Sequence, residues 1–186
     1  MDIIDYFKLL NISESSTPGF VRIPIVPGSR NRSGVPLRAT SLTIHETANH
    51  AKGADALAHA RYLQSPEAGL RLVSWHFTVD SQRIVQHLPV TEVGWHTAVH
   101  SGNHSSLGIE ICVNEDGVFG KACANARILA GIIAYERGFR FTQILPHKSW
   151  SGKNCPATLL SLGQFSQFVM DSLEVARQIK QKVEGK

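Results

Sequence analysis

The segment PHKSWSGKNCP, from Pro146 to Pro156, sets the imidazole of His147 and the thiol of Cys155 eight positions apart in a loop bracketed by prolines. Imidazole and thiolate are both good ligands for Zn2+, and a loop of this length can fold back to present both to one ion. The same spacing suits a surface histidine beside a small buried cysteine, so a third donor has to be sought elsewhere. His45 falls on the polar side of an early strand and would complete a set of two histidines and one cysteine. Three protein ligands leave the fourth tetrahedral position open for water, as in a catalytic zinc, and there is no CxxC pair for a closed structural site. Composition alone does not choose among nine histidines. His50, His59, His87, His100 and His104 read as exposed or structural, whereas strand parity favours His45 and His76.

The elements that must position these groups follow from hydrophobic period. Leu42 to Glu46, Trp75 to Asp80 and Leu107 to Cys112 alternate apolar and polar residues as half-buried strands do. Leu42, Ile44, Trp75, Phe77, Val79, Leu107, Ile109 and Ile111 then share one face. His45, His76, Glu110 and Cys112 share the other, a polar surface fit for a site. Arg83 to His87 reads as a fourth strand in a hairpin with the second. Helices are expected over Ala54 to Gln64, Ala122 to Arg137 ending at Gly138, and Gln164 to Val183. The result is a single α/β domain, a central mixed sheet flanked by helices with the metal site on its polar face. Residues 1–38, rich in proline and glycine from Pro18 onward, read as an arm packed on a catalytic unit of residues 39–186.

Several function classes drop out. A chain of 186 residues favours one compact unit, and 42% hydrophobic against 18% charged residues excludes a disordered or fibrous chain. The apolar run from Ile128 to Tyr135 is far short of the roughly 20 residues of a bilayer span. Asp2 and Asp5 interrupt the N-terminus where a secretory signal would be basic and then apolar, so the expected location is the cytoplasm until release. A net charge of +4 favours anionic partners, but no basic helix or aromatic RNA-binding strand supports a nucleic-acid binder. With three cysteines a disulfide framework cannot use them all. Cys112 is expected as a buried thiol and Cys123 in the core.

Taken in order, LTIHETAN, SWHFTVD, GWHTA, GNHSSLGIEICV and PHKSWSGKNCP resemble the zinc-dependent N-acetylmuramoyl-L-alanine amidases of the phage-lysozyme and peptidoglycan-recognition type, over about Leu42 to Pro156. The ordered set is far more specific than any one motif. The resemblance implies one Zn2+ held by His45, His147 and Cys155, a catalytic carboxylate at Glu110, and an oxyanion-stabilising lysine at Lys153. Some relatives carry a tyrosine where this chain has Trp75; indole cannot act as a phenol, which shifts acid, base and oxyanion duties onto Glu110 and Lys153. Glu46 competes as the base, but alternation turns it from the face of His45. Trp95, His96 and Asn103 are implied to border the substrate groove, and His76 to contact substrate or to support the site. Trp150 reads as either groove or core.

The activity implied is hydrolysis of the amide between N-acetylmuramic acid and the L-alanine of the stem peptide. The partner is then peptidoglycan, with no nucleic acid, membrane insertion or oligomer expected. The setting implied is a phage or prophage endolysin released through a holin-type lesion. The alternatives are a non-catalytic peptidoglycan-binding module, which would be expected to lack the third ligand, and a cytosolic wall-recycling amidase.

Overall fold

The computed structural model describes residues 1–185. The chain opens with α1 (Ile3–Leu9) and β1 (Gly19–Arg22), followed by β2 (Ser41–Glu46), α2 (Ala56–Leu63) and α3 (Pro66–Arg71). The hairpin strands β3 (Phe77–Val79) and β4 (Arg83–Gln86) lead through the short α4 (His100–Asn103) to β5 (Ser106–Ile111). The long α5 (Phe119–Arg137), β6 (Ile144–Pro146), the short α6 (Lys148–Ser151) and α7 (Ala157–Ser161), and α8 (Phe165–Glu184) complete it. The six strands form one sheet in the order β1-β4-β3-β5-β2-β6, with β3 and β4 antiparallel and every other pairing parallel. Long crossovers are what parallel neighbours require, and the helices supply them.

Leu42, Ile44, Phe77, Val79, Leu107, Ile109 and Ile111 form one hydrophobic cluster with α5, α8 and Phe7 of α1. Alternation therefore assigns this face as expected. Helix α5 lies between the sheet and α8 and is buried on several sides, from Ala122 to Ala134. Gly131 is what lets α8 come close: a Cβ there would lie 2.6 Å from the Ser172 carbonyl oxygen and from Val175. Helix α5 ends at Gly138, left-handed at φ 68° as a C-terminal glycine permits, but it begins a turn before Ala122. Gly120 looks like a breaker in sequence and is carried by the helix.

The strand expected from Trp75 is shorter, and Trp75 is on the other side of the sheet. Ser74 to His76 bond outside a regular ladder, the Ser74 N–H to the Trp95 carbonyl and the His76 N–H to that of Gly108. The indole N–H donates to Thr78 Oγ1 at 2.7 Å, and the ring packs with Ile25, Leu63 and Leu88. Parity is lost because the regular strand starts only at Phe77. Residues 1–38 contribute α1 to the main core and β1 to the sheet edge, parallel to β4. No helix among the described residues is long and apolar enough to cross a membrane.

Candidate metal centre and groove

The second face of the sheet carries the site. Parallel pairing of β2 with β5 sets His45 opposite Glu110, and β3 sets Thr78 opposite Glu110 from the other side, so the three form a row across the face. Strand β6 pairs Pro146 with Ile44, and the His147 N–H donates to the Ile44 carbonyl at 3.2 Å, which delivers His147 beside His45. The chain then turns back through α6 and Gly152, whose φ of 76° suits glycine. A bond from the Lys148 N–H to the Cys155 carbonyl at 3.0 Å closes the loop and brings Cys155 back to His147. Glu46 points the opposite way: its carboxylate accepts the Thr158 and Leu159 N–H groups at 2.9 and 3.0 Å, capping α7.

His45, His147 and Cys155 are all buried, with one donor atom from each lying within 4.8 Å of the others. His45 Nδ1 is 3.0 Å from His147 Nδ1 and 3.9 Å from Cys155 Sγ. Two carbonyl oxygens decide where the ring protons are. His147 Nε2 lies 3.1 Å from the Thr97 carbonyl and His96 Nε2 lies 3.3 Å from that of Ser106, and since a carbonyl only accepts, both Nε2 atoms carry the proton. His96 Nδ1 is then an acceptor, so His45 Nε2 donates to it at 2.9 Å. Both facing Nδ1 atoms therefore present lone pairs to each other, which an interposed cation satisfies and water-free packing does not. The fit to zinc is good: a tetrahedral ion would set two nitrogens about 3.3 Å apart and nitrogen and sulfur about 3.6 Å apart.

Electrostatics agree with this donor set. Burial lowers the pKa of His45 well below the usual value, lowers that of His147, and takes His96 down to about 3, so the rings are neutral and able to coordinate. The 3.9 Å contact of Glu110 Oε1 with His45 Nδ1 is thus no ion pair. Burial raises Glu110 to about 8, with the Lys153 ammonium opposing the rise. Burial, with Glu110 nearby, raises Cys155 to about 12, while the Glu46 N–H points at its sulfur from 3.4 Å.

A groove of about 1030 Å3 opens above these groups. Glu110, His147, Lys153, Trp95, His96 and Asn103 line it. His76 does not. It is fully buried, its Nε2 donating to the Glu92 carbonyl and its Nδ1 accepting the Gly108 N–H, both at 2.9 Å. Trp150 is also absent from the wall, and its indole N–H donates to Thr43 Oγ1 on the sheet at 2.9 Å. Gly108 gives the His96 ring its room, because a Cβ there would sit 2.9 Å from His96 Nδ1. Trp75 lines the wall as well as packing in its small core cluster, and it stacks with Tyr62 at 6.4 Å between ring centroids. Cys112 and Cys123 are buried thiols.

Two buried oxygens on the wall lack a hydrogen-bond partner, Glu110 Oε2 and Thr47 Oγ1. Thr47 lies two residues beyond His45, just past the end of β2 at Glu46, where strand parity gives no sequence signal for it. The Thr97 carbonyl, which fixes His147, had no signal, because a backbone acceptor in a loop leaves none.

Comparison with known proteins places the chain. Over 140 residues it is 50% identical to the N-acetylmuramoyl-L-alanine amidase XlyA of Bacillus subtilis (strain 168), a match covering 74% of this chain and 46% of that protein. The chain spans about half the length of the curated relatives it matches. The structure of the catalytic domain of XlyA superposes with a TM-score of 0.78 at 44% identity, covering 83% of this chain and 99% of that one. A mutant endolysin from Bacillus subtilis gives the same score and identity over 84% and 99%. The model of the N-acetylmuramoyl-L-alanine amidase family designated Amidase_2 matches residues 36–158, more than half of the chain, and the chain therefore belongs to that family.

Proposed function

We propose that this chain hydrolyses the amide between the lactyl group of N-acetylmuramic acid and the L-alanine of the stem peptide in peptidoglycan, with one Zn2+ held by His45, His147 and Cys155. The observation that carries this reading is the convergence of those three buried donor atoms, with His147 and Glu110 lining a groove, in a chain of this family. The bound ion would supply a Lewis acid and a water of lowered pKa.

The remaining steps belong to the chain's own groups. Glu110 Oε2, buried and without a partner, is placed to take the proton of the attacking water and then return it to the departing nitrogen of L-alanine. As a base it must start ionised; the Lys153 ammonium lowers its pKa, and a divalent cation would lower it further. Lys153 lines the same groove and would donate to the oxyanion as the carbonyl becomes tetrahedral. Trp95 and His96 offer ring surface, and Asn103 an amide, against which sugar and peptide can lie. The likeness to an endolysin supports a lysin kept in the cytoplasm until it gains access to the wall.

Incubating the zinc-loaded protein with purified peptidoglycan should release new N-terminal alanine without new reducing sugar ends, and a chelator should abolish it. Reducing ends, or no alanine, would overturn the activity. Glu110→Gln keeps the shape of the side chain but cannot accept a proton, so it should retain zinc and lose about 10² to 10⁴ in turnover; near-parent turnover would remove Glu110 from the base role. In the metal-free protein the two histidines are already neutral at pH 7 while the Cys155 thiol is protonated. Zinc uptake at pH 7 should then release one proton from Cys155 and up to one more from Glu110, whose pKa of about 8 the cation lowers, and affinity should rise at least tenfold per pH unit between pH 7 and 9. Calorimetry in buffers of different ionisation enthalpy measures that number, and a value near zero would contradict the donor set.

A further inference from the structure

The loop between β3–β4 and β5 supplies the outer partners of both ring ligands. His96 accepts from His45 Nε2, and the adjacent Thr97 carbonyl accepts from His147 Nε2. These two residues are consecutive, and one atom holds them. Asn103 Oδ1 accepts the His96 N–H at 3.0 Å and the Thr97 N–H at 2.9 Å, with Thr97 Oγ1 also 2.9 Å away. Accepting two backbone N–H groups identifies that atom as the carboxamide oxygen. Asn103 closes α4, where its own N–H is tied to the Val99 carbonyl at 3.0 Å.

We propose that Asn103 is a positioning residue, whose one oxygen sets the ring orientation and tautomer of His45 and His147 together. The inference rests on the reading of those histidines as zinc ligands. Rotating the 96–97 peptide away would turn the Thr97 carbonyl from His147 and shift the His96 ring from His45. Either histidine could then place its proton on Nδ1, the atom needed for coordination. A ring pinned by an outer acceptor binds metal without first giving up a competing tautomer.

The test is zinc affinity by chelator competition on the full chain, with Asn103→Leu and Asn103→Asp. Asn103→Leu keeps the branched shape but removes the acceptor; it should lower the melting temperature through two unpaired N–H groups and, at a temperature where the zinc-free variant is folded, weaken zinc by about 10- to 100-fold. Asn103→Asp retains an oxygen for the same two N–H groups and should stay within about threefold of the parent. Nitrogen-15 spectra of the histidine rings in the parent should show both His45 and His147 protonated at Nε2, with and without zinc. This measurement stands even if Asn103→Leu fails to fold. Parent-like affinity in Asn103→Leu, or a parent ring protonated at Nδ1 in the zinc-free chain, overturns the role of Asn103 while leaving the metal reading intact. A parent that takes up no zinc overturns both.

Discussion

Two imidazole lone pairs facing each other 3.0 Å apart in a buried pocket, with a thiol sulfur 3.9 Å from one of them, are the constraint around which the rest of this molecule is arranged. Such a contact is unfavourable in a dry interior unless a cation occupies it, and relaxing it would need only a ring flip or a moved proton. The surroundings block both routes. Carbonyl oxygens of Thr97 and Ser106 can only accept, so the protons are fixed on the far side of each ring chain. Residues 96–106 thus fix the ring protons of His45 and His147 as firmly as the strands fix their positions.

What holds that loop and the ligands in register is the sheet. Parallel pairing of β2 with β5 and β6 brings residues distant in sequence to one row, which sets Glu110 beside His45 and His147 at the end of the same strand. Behind the sheet, α5 and α8 pack closely enough that Gly131 has no room for a side chain. The apolar face is rigid and filled, and the polar face carries the groove. Strand alternation divides the work in β2: His45 lies on the polar face beside Glu110, while the next residue, Glu46, caps α7 from the other side.

Much of this was legible in the sequence wherever a regular period continued. Strands β2 and β5 show which residues share a face, and that parity joins His45 and Glu110 and turns Glu46 away. The eight-residue spacing of His147 and Cys155 is legible as a loop that can close on itself, and a backbone bond from Lys148 to Cys155 is how it does so. Parity failed where the chain leaves the ladder: Trp75 precedes the first regular residue of β3 and lies on the groove side, and His76, on the expected side, is used up by two backbone bonds. Helix α5 starts at Phe119, three residues before the expected Ala122, and Phe119 packs against the core there. The hold of Asn103 on two successive N–H groups could not be seen, since it depends on the path of an irregular loop.

On the proposed function, His45, His147 and Cys155 together hold one Zn2+ and leave its fourth position open. X-ray absorption at the zinc edge on the loaded chain tests it most directly. The expected first shell is two nitrogens at about 2.0 Å and one sulfur at about 2.3 Å, completed by one lighter exchangeable donor. A shell without sulfur, or one closed by four protein donors, would contradict it.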